Sequence, residues 1–352
     1  MNNRVLLAMS GGVDSSCAVL MLKNRGFEVI GATMRLWNNE DGCNDAKAAA
    51  ERLGIKHYVL DYAEMFKKLV IERFNGEYLS GLTPNPCVDC NRFLKFGAMF
   101  EDAHRLGCDY IATGHYARVE FDSSKNLYLL KKAVCGDSAD INPKDQSYVL
   151  YNLTQEQLKR VIFPLGELTK EEVRTLAEEN GLVNSDKPDS QDICFVPEGD
   201  YSDFIENYTG IKPQKGKVID KNGNVLGEHS GMISYTKGQR KGLGISFGRP
   251  VYVIGKNAAE NTVTVGESED LFSRELTAFD INWTAGAAEK EIRCFAKTRY
   301  KQKETPCTVF NSTSGTAKVL FDEPQRAVTE GQRIVFYQGD IVLGGGVIAN
   351  VL

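Results

Sequence analysis

The chain lacks the features of a membrane protein or a secreted protein. It contains no run of about 18 or more uncharged apolar residues, so we expect no membrane-spanning helix. Its first residues lack the apolar region and the small-residue cleavage site of a signal peptide. Its nine cysteines are odd in number and scattered, which argues against a disulfide framework and favours reduced thiols. Together these absences favour a cytoplasmic enzyme.

The chain also lacks an excess of positive charge. With 42 Lys and Arg residues against 47 Asp and Glu residues, its formal net charge is −5. This balance excludes a uniformly basic coat for nucleic acid but is compatible with local basic patches. The 352 residues exceed what one ordinary hydrophobic core holds, so we expect two or three domains.

Strand-like and helix-like segments alternate over the first third of the chain. Apolar runs predict strands at 4–9, 28–34, 57–61 and 109–115. Capping residues and apolar spacing predict four helices, at 16–25 with Gly26 after it, from Asn44 or Asp45 to about Leu53, at 62–79 and at 91–106. This alternation predicts an α/β fold with a parallel sheet covered on both faces, in which ligands bind at the carboxyl ends of the strands.

The second half of the chain has a different character. One helix is predicted at 154–180 with Gly181 closing it, and a short helix at 201–208. Asn222-Gly223 lies between two short strand-like runs, which is a strong hairpin signal. From there to the C-terminus, short β-runs separated by Gly and Asn predict small β-domains or a barrel. We predict three domains: a parallel α/β domain at 1–207, a small β-rich linking domain at 208–272 and a C-terminal β-barrel at 273–352.

A glycine-rich motif, SGGVDS at 10–15, connects the first predicted strand to the first helix. Glycines let a phosphate approach the backbone, and a helix N-terminus supplies N–H groups and a positive dipole end. Ser10 and Ser15 add hydroxyl donors, and Asp14 is a candidate ligand for magnesium. No lysine follows the glycines, so this is not the GxxxxGKS/T loop. We interpret it as a phosphate-binding loop rather than an ordinary strand–turn–helix connection.

A second motif, TPNPCVDCNR at 83–92, precedes a predicted helix. Its two prolines stiffen the loop, and Asn91 is a candidate helix cap. Cys90 then lies at the helix N-terminus, where the dipole stabilises a thiolate and lowers the pKa. The alternatives are half of a zinc site, for which no second Cys pair of suitable spacing exists, a thioredoxin-like redox pair, and two inert cysteines. A reactive thiol is the preferred interpretation.

A third cysteine and a basic segment complete the candidate residues. Cys194 follows a polar stretch at 187–193, and taken alone it is interpreted as a structural cysteine. The segment 291–303 carries five basic residues against one acidic residue. Tyr300 within it is available to stack on a base. Alternation along one continuous strand would place the basic residues on one face: Arg293, Lys297, Arg299, Lys301 and Lys303. The alternative is a solvated polar face.

Seven motifs occur in one order along the chain: SGGVDS, TPNPCVDCN, ATGHYA (112–117), KDQSY (144–148), KPDSQDICF, YTKGQRKGLG (235–244) and RCFAKTRY (293–300). The set resembles the bacterial tRNA-specific 2-thiouridylase family, a group of N-type ATP pyrophosphatases in the PP-loop superfamily, over nearly the whole chain. The glycine loop alone is similar to that of GMP synthetase, argininosuccinate synthetase and tRNA lysidine synthetase. The resemblance implies an N-type ATP pyrophosphatase domain that adenylates the 2-carbonyl of a tRNA wobble uridine, followed by sulfur transfer.

The resemblance also implies roles for individual residues. Cys90 is the implied nucleophile and Cys194 the implied persulfide carrier, and the two would alternate with a Cys90–Cys194 disulfide. The implied ATP contacts are Ala8, Met9, Ser10, Gly11, Gly12, Val13, Asp14, Ser15, Met34 and Gly114. The implied tRNA contacts are Asn85, Pro86 and Cys87 at the target base, with His115, Lys144, Asp145, Gln146, Arg299, Tyr300 and Gln332 elsewhere. Magnesium is expected with ATP and at no dedicated protein site, and a cysteine desulfurase or a relay protein is expected to supply the sulfur.

The chain departs from the family pattern in two places. The segment after Met34 is shorter than the family's usual insertion before the second helix. Asp89 lies between the paired cysteines, where the family often has an apolar residue. Because some members carry aspartate at the position of Cys87, a general acid/base role there does not transfer, and Asp89 is a hypothetical substitute. The alternative functions are a pyrophosphatase acting on a small molecule, a non-catalytic RNA-binding protein, and a zinc or redox module.

Overall fold

The fold is that of a computed structural model, which describes residues 3–37, 40–135, 141–182, 193–196, 201–244, 248–286, 289–312 and 314–352. In these ranges the chain forms three β-sheets, with helices in its first part. All nine cysteines are free thiols. Every helix in the described ranges is too short or too polar to cross a membrane.

A parallel sheet organises the first part of the chain. The strands of this part are β1 Arg4–Ala8, β2 Glu28–Arg35, β3 Lys56–Asp61, β4 Tyr110–Ala112, β5 Ala117–Asp122, β6 Leu127–Lys132 and β7 Val161–Ile162. Five of them form a parallel sheet in the order β3-β2-β1-β4-β7. Side chains of β1 alternate between two cores, with Leu6 in one and Val5 and Leu7 in the other. The predicted parallel sheet with two covered faces is therefore confirmed.

Four helical segments accompany the first four predicted strands. They are Val13–Asn24, Glu40–Arg52, a segment running from Ala63–Phe66 through the π-helical Lys67–Ile71 into Glu72–Leu79, and a segment running from Pro86–Asp89 through the π-helical Cys90–Ala98 into Met99–Arg105. Gly26, at φ +82°, follows the first helix as predicted. The second begins at Glu40, so a cap at Asn44 or Asp45 is wrong. Its first turn is acidic, which suits the positive end of the helix dipole.

The helix that carries the paired cysteines also begins earlier than predicted. Asn85 is its N-cap and Pro86 its first residue. Proline suits this position because it has no N–H to satisfy and its φ is already helical. The predicted start at Asn91 is therefore wrong, and Cys90 lies inside the helix rather than at its first turn.

The predicted helix at 154–180 is two helices. They are Gln155–Leu158 and Lys170–Glu179, with β7 between them. Thr154 and Thr169 each form a capping box, so a second helix starts within the predicted one. Gly181, at φ +63°, follows the second helix as predicted. The next helix, Tyr201–Thr209, agrees with the prediction at 201–208.

A four-stranded sheet follows the α/β part. Its strands are β8 Gly216–Ile219, β9 Val225–His229, β10 Tyr252–Asn257 and β11 Thr262–Gly266. They pair in the order β10-β11-β8-β9. Strands β8 and β9 form the predicted hairpin, with Gly223 at φ +86° in its turn. Val218, Val253 and Val263 belong to a separate apolar core, as suits a small β-rich unit.

The C-terminal part forms the predicted β-barrel. Its strands are β12 Phe272–Asn282, β13 Glu291–Lys297, β14 Thr305–Asn311, β15 Ala317–Arg326, β16 Arg333–Gln338 and β17 Ile341–Val351. They pair in the order β12-β15-β14-β13-β16-β17, and β17 pairs back with β12 to close the barrel. The β5–β6 hairpin joins the same sheet beside β17, an addition that the sequence did not indicate. The domain boundaries at 207 and 272 stay predictions.

Candidate active site

The glycine loop follows β1 and opens the first helix. Gly11 has φ +75°, and a Cβ at this position would stand 2.6 Å from the Cβ of Asp45, so only glycine fits. Gly12 is the N-cap and makes no side-chain cap hydrogen bond, which leaves the first-turn N–H groups for an anion. Ser15 Oγ donates to Gly12 O at 3.0 Å and accepts from Ser10 N at 3.4 Å. These bonds fix the loop around the helix start.

The other predicted ATP contacts surround this loop. Ala8 ends β1, Met9 follows it and is buried, and Met34 is half-buried near the end of β2. Gly114 follows β4 and lies against the first helical turn, where an added Cβ would stand 3.4 Å from the Cβ of Asp14. The structure therefore brings the predicted residues together at the carboxyl ends of adjacent parallel strands, where such sheets bind ligands.

Asp14 is held by two residues that the sequence motifs did not assign to the ATP site. Lys170 Nζ donates to both carboxylate oxygens at 2.8 Å, and the Tyr116 hydroxyl donates to Oδ1 at 3.0 Å. Lys170 is the first residue of its helix, and its side chain is 11% exposed. The pairing brings the ammonium group of Lys170 to the glycine loop. Both carboxylate oxygens of Asp14 therefore accept hydrogen bonds from protein donors.

The paired cysteines lie in the first two turns of their helix. Cys87 directly follows Pro86 and is exposed, whereas Cys90 lies further into the helix and is half-buried. Burial raises the pKa of the Cys90 thiol to about 12. The predicted low-pKa thiolate at the helix start is therefore wrong for Cys90. Asn91, predicted to be the cap, instead donates its side-chain amide to Val149 O at 3.3 Å.

Cys194 is fixed by the residue that follows it. Phe195 is buried, and its ring contacts three aromatic rings at centroid distances of 5.6, 5.2 and 5.3 Å. These rings belong to Phe66, Phe74 and Phe204. The anchor leaves Cys194 exposed at the surface of the α/β part. The preceding part of its predicted motif, 187–192, lies outside the described residues.

Three thiols share one region of the molecule. Burial and then the charge of Cys87 raise the pKa of Cys194, and burial and the charges of Cys194 and Cys87 raise the pKa of Cys90. Lys95 opposes these effects, since its positive charge lowers the pKa of each of the three. Charges that act on one another in this way lie close together. The Cys194 thiol therefore lies within electrostatic reach of the Cys90 thiol.

Lys95 faces Cys90 because of the π-helical winding between them. With about 4.4 residues per turn, residues five apart in a π-helix lie about 50° from each other around the axis, compared with about 140° in an α-helix. Gly97 suits this winding, since its Cβ would stand 3.1 Å from Arg92 O. Lys95 is half-buried, and it forms no ion pair or hydrogen bond with any residue that the structure describes. Its ammonium group is therefore available to the thiols.

His115 and the predicted base contacts lie beside the thiols. His115 is buried, with Nδ1 at 2.6 Å from Thr113 Oγ1. Burial and then the charge of Lys95 lower its pKa well below the ordinary value, so the imidazole is neutral at pH 7. The three predicted contacts to the target base form the start of the cysteine helix: Asn85, Pro86 and Cys87.

The predicted tRNA loop at 144–146 connects the glycine loop to the barrel. Gln146 N donates to Tyr116 O at 2.8 Å, and its Oε1 accepts from Tyr116 N at 3.0 Å. Asp145 Oδ1 accepts from the backbone N–H groups of Ala133 and Ser147, so this carboxylate stabilises the loop itself. Lys144 beside it is half-buried. Since Tyr116 also contacts Asp14, the loop adjoins the ATP side of the site.

On the barrel, the predicted tRNA contacts are partly engaged within the protein. Strand β13 ends at Lys297, so Arg299 lies in the following turn, and the predicted continuous basic strand is wrong. Arg299 donates to Ala327 O and to Thr329 Oγ1. The Tyr300 hydroxyl donates to Asp145 O at 3.0 Å, while the residue remains 40% exposed. The turn after β13 therefore contacts the loop at 144–146.

The remaining barrel candidates differ in what they contact. Gln332 Nε2 donates to the carbonyl oxygens of Thr83 and Pro84 at 3.2 and 3.3 Å, so it contacts the loop before the cysteines. Arg293 pairs with Asp322 and Lys297 with Glu304. Lys301 and Lys303 are exposed, and neither forms an ion pair with a described residue. Lys301 and Lys303 therefore present exposed charge that no ion pair with a described residue neutralises.

Asp89 is an unsuitable general acid or base. Arg333 Nη2 donates to its Oδ1 at 3.1 Å, and Arg73 Nε lies 3.5 Å from its Oδ2. The Asp89 side chain is only 5% exposed. A buried carboxylate whose two oxygens face guanidinium groups is out of reach of a substrate, so the geometry does not support that hypothesis.

Three protein-family models match successive parts of the chain. They are described as the tRNA methyl transferase HUP domain at residues 3–198, the tRNA methyl transferase PRC-barrel domain at 202–267 and the aminomethyltransferase beta-barrel domain at 273–348. Among solved structures, the NMN synthetase of Francisella tularensis aligns with 53% of this chain and 66% of that chain, at 16% identity and a TM-score of 0.34. That likeness is too weak to bear on function.

Curated relatives match along their full lengths. The tRNA-specific 2-thiouridylase MnmA of Clostridioides difficile is 47% identical over 100% of this chain and 99% of that protein. MnmA of Acetivibrio thermocellus is 49% identical over 98% and 99%, and MnmA 1 of Caldanaerobacter subterraneus is 49% identical over 99% and 98%. The chain belongs to the tRNA-specific 2-thiouridylase family. The predicted family is thereby confirmed.

For this 2-thiouridylase family member, sequence reasoning missed four side chains that the structure places at the site. Tyr116 lies inside the quoted ATGHYA motif, and Lys95 lies five residues after Cys90, so both were within reach of motif inspection. No quoted motif contains Lys170 or Arg333. Their positions become apparent only when the helix after Thr169 and strand β16 are placed against the first domain.

Proposed function

We propose that the chain is an ATP-dependent tRNA sulfurtransferase that converts the wobble uridine to 2-thiouridine. The observation that carries this proposal is the presence of two sites in the same α/β part, a glycine loop suited to phosphates and a group of three thiols. Full-length relatives named tRNA-specific 2-thiouridylase support the same activity. A pyrophosphatase acting on a small molecule would need the first site alone.

The residues that would hold ATP belong to the α/β part. The first-turn N–H groups after Gly12, the hydroxyls of Ser10 and Ser15 and the ammonium of Lys170 would contact phosphates. Gly11 keeps the loop in its positive-φ conformation, in which an added Cβ would collide with Asp45. Magnesium would come with the nucleotide and neutralise phosphate charge. Asp14 fits a direct metal role less well, since protein donors engage both its oxygens.

The reaction would proceed in two stages. First, the uridine 2-oxygen attacks the α-phosphorus of ATP and pyrophosphate leaves, so that AMP becomes the leaving group at C2. Second, the terminal sulfur of a Cys194 persulfide bonds to C2 and AMP leaves. Cys90 loses its proton to solvent and attacks the Cys194 sulfur as a thiolate, the S–S bond of the persulfide breaks so that the outer sulfur stays on C2, and a Cys90–Cys194 disulfide forms. A thiol reductant supplies the two electrons that restore both thiols.

We infer that tRNA is the macromolecular substrate and that it contacts both the α/β part and the barrel. The target base would lie beside Asn85, Pro86 and Cys87, close to the thiols. Exposed Tyr300 offers a ring for stacking, and Lys301 and Lys303 offer charge to phosphates. A persulfide donor, either a cysteine desulfurase or a relay protein, would load Cys194. The donor and the cytoplasmic location stay predictions, and no membrane partner is proposed.

Single cysteine variants test the proposal, using purified protein with ATP, tRNA and a persulfide donor. Cys194→Ser should form no 2-thiouridine but should continue tRNA-dependent pyrophosphate release, because the persulfide acts only in the second stage. Cys90→Ser should also block turnover. Cys87→Ser, one helical turn away, is the matched control and should be milder. Nucleoside mass spectrometry and a pyrophosphate assay measure the two stages.

The position of Cys87 in the helix makes it the alternative candidate for the nucleophile. Cys87 lies nearer the helix N-terminus, where the dipole stabilises a thiolate, whereas the family resemblance assigns the nucleophile to Cys90. An inactive Cys87→Ser with an active Cys90→Ser would move the nucleophile to Cys87. An active Cys194→Ser would overturn the persulfide mechanism. Failure of the wild-type protein to form 2-thiouridine would overturn the function.

A further inference from the structure

The barrel residues 330–333, here named the clamp segment, contact the loop before the cysteine helix and the helix itself. Glu330 O accepts a hydrogen bond from Thr83 N at 3.0 Å. Gly331, at φ +87°, lies so close to the loop that an added Cβ would stand 2.9 Å from Thr83 N. Gln332 adds the two amide contacts to loop carbonyl oxygens described above. Three consecutive barrel residues therefore hold one short stretch of loop backbone.

Arg333 contacts the cysteine helix that follows this loop, through the side chain of Asp89. Its ion pair with Asp89 is almost completely enclosed, since the two side chains are 2% and 5% exposed. Arg73 approaches the second Asp89 oxygen from the α/β part. Loss of one partner from such a pair leaves an uncompensated buried charge. Asp89 directly precedes Cys90, so the pair restrains the backbone next to that thiol.

The clamp segment is itself firmly attached. Gly331 N donates to Ile348 O, and Ile348 N donates to Gln332 O, both at 2.9 Å. The Tyr148 hydroxyl donates to Arg333 O at 2.7 Å. The clamp segment is therefore paired with β17 of the barrel. The loop before the cysteines contacts a segment that the barrel itself holds in place.

We propose that Gln332 and Arg333 are positioning residues for sulfur transfer, through which the barrel sets the placement of Cys90 relative to Cys194. This inference rests on the proposed function, which assigns the exchange to these two thiols. Attack of one sulfur on another requires near-bonding geometry, and a misplacement of 1 Å costs about 100-fold in rate. The Gln332 amide, interpreted from the sequence as a tRNA contact, is used on the cysteine loop in this structure. Loss of this amide should slow sulfur transfer even when the tRNA concentration is saturating.

Two conservative variants with matched controls test the proposal. Gln332→Glu keeps the shape but points a carboxylate at two carbonyl oxygens, and Arg333→Lys keeps the charge but loses the planar fork. Gln325→Glu is one control, because this buried barrel glutamine also donates to a backbone carbonyl, away from the cysteine loop. Arg118→Lys is the other, because its pair with Asp340 at 2.6 Å also joins the first part of the chain to the barrel.

Three rates are measured in each variant. They are 2-thiouridine formation at saturating ATP and tRNA, tRNA-dependent pyrophosphate release, and iodoacetamide labelling of Cys90 without tRNA, followed by mass spectrometry. We expect both test variants to lower 2-thiouridine formation by about 10-fold or more, and to lower pyrophosphate release by a smaller factor, because the target base would lie beside the same loop. Cys90 labelling should change in the same variants. Both controls should behave as wild type.

A folded Gln332→Glu protein with wild-type sulfur transfer would overturn the proposal, whatever its tRNA affinity. If Arg333→Lys does not fold, Gln332→Glu decides alone. Labelling of Cys90 does not depend on catalysis, so it separates this inference from the proposed function. If the wild-type protein formed no 2-thiouridine, the proposed function would fail, and unchanged Cys90 labelling in both variants would then overturn the clamp as well.

Discussion

The glycine loop and the cysteine region are held by different kinds of contact. The backbone of the glycine loop is fixed locally, because Gly11 and Ser15 set it through backbone conformation and hydrogen bonds that span at most five residues, whereas the Asp14 side chain has a remote partner, Lys170 at 156 positions, beside Tyr116. The cysteine region is held from a distance, since Asp89 and Arg333 are 244 positions apart and Gln332 contacts a loop 249 positions away. The first arrangement depends on neighbouring residue types, and the second on how the barrel packs against the α/β part.

The two regions also differ in electrostatics. At the glycine loop, Asp14 and Lys170 form a complete ion pair beside a helix N-terminus. In the cysteine region, burial raises the pKa of Cys90 to about 12, and Lys95 is the nearby charge that opposes this. The Cys90 thiol is therefore protonated and slow to react at neutral pH. The glycine loop is thus arranged for an anion in the free protein, whereas the cysteine region keeps the Cys90 thiol in its less reactive, protonated form.

Asp14→Ala should produce the largest effect, with tRNA-dependent pyrophosphate release falling below detection. The carboxylate joins Lys170 and Tyr116 at the loop, whereas a residue that is 31% exposed contributes little to the core. Thermal melting should therefore stay close to that of wild type. Normal pyrophosphate release by the variant would contradict the assignment of the loop.

The double variant Asp14→Ala/Lys170→Met separates two roles of the ion pair. If Asp14 only neutralises Lys170, removal of both charges should restore activity. We expect no recovery, because Lys170 is itself proposed to contact phosphates. The pyrophosphate assay on the two single variants and the double variant completes the cycle.

Gly11→Ala should produce the next largest effect, a loss in the rate of pyrophosphate release of about 100-fold. A loss of this size is expected when the phosphates are misplaced by about 1 Å. A Cβ there collides with Asp45, which forces the loop away from the helix start. Gly26→Ala is the matched control, because Gly26 also has positive φ but has nothing within 4 Å of the added Cβ. The control should lose about 1–2 kcal/mol of stability and keep its activity. Equal activity losses would show that backbone strain alone accounts for the effect.

These differences explain how much the sequence could predict. Gly11 and Gly223 have positive φ at a turn, and the residue type alone predicts such a local requirement. The apolar runs likewise predict the parallel strands. The predicted start of the cysteine helix is wrong because the prediction uses Asn91 as the cap, whereas Asn85 is the cap in the structure. The Pro86 that follows Asn85 decides between them.

The remote contacts could not be predicted in the same way. Arg333 has no local signal for its role, since an arginine in a strand is usually solvated. Its partner becomes known only when β16 packs against the cysteine helix. Likewise, the basic residues after Lys297 were expected on one strand, but the strand ends there and a turn directs Arg299 to barrel carbonyl and hydroxyl groups.

Lys95→Met should produce an intermediate effect in the cysteine region. Removing a nearby positive charge disfavours the thiolate, so the already raised pKa of Cys90 rises further and labelling shifts to higher pH. A shift of one pKa unit would slow iodoacetamide labelling about 10-fold at pH 8. Lys95→Arg keeps the charge and should retain most of the rate. Lys23→Met, in the last turn of the first helix, is the distant control. Identical pH profiles for Lys95→Met and wild type would contradict the role of this charge.

Replacing both Lys301 and Lys303 with alanine should produce the smallest effect, a loss of tRNA affinity of several-fold at physiological salt. Each lysine that contacts a phosphate releases about one counterion, so the slope of log affinity against log salt should fall by about 1–2. Both side chains are exposed in the turn after β13, whereas Arg299 in the same turn is tied to the barrel and would report on folding instead.

The matched control for this double variant is Lys23→Ala with Arg25→Ala. It removes two exposed positive charges at the end of the first helix, about 18 Å along the axis from the glycine loop. ATP affinity should be unchanged in both double variants. Filter binding or fluorescence anisotropy at several salt concentrations measures the affinities and slopes. Equal salt slopes for the two double variants would place the tRNA elsewhere, and the turn after β13 would then contact only the loop at 144–146.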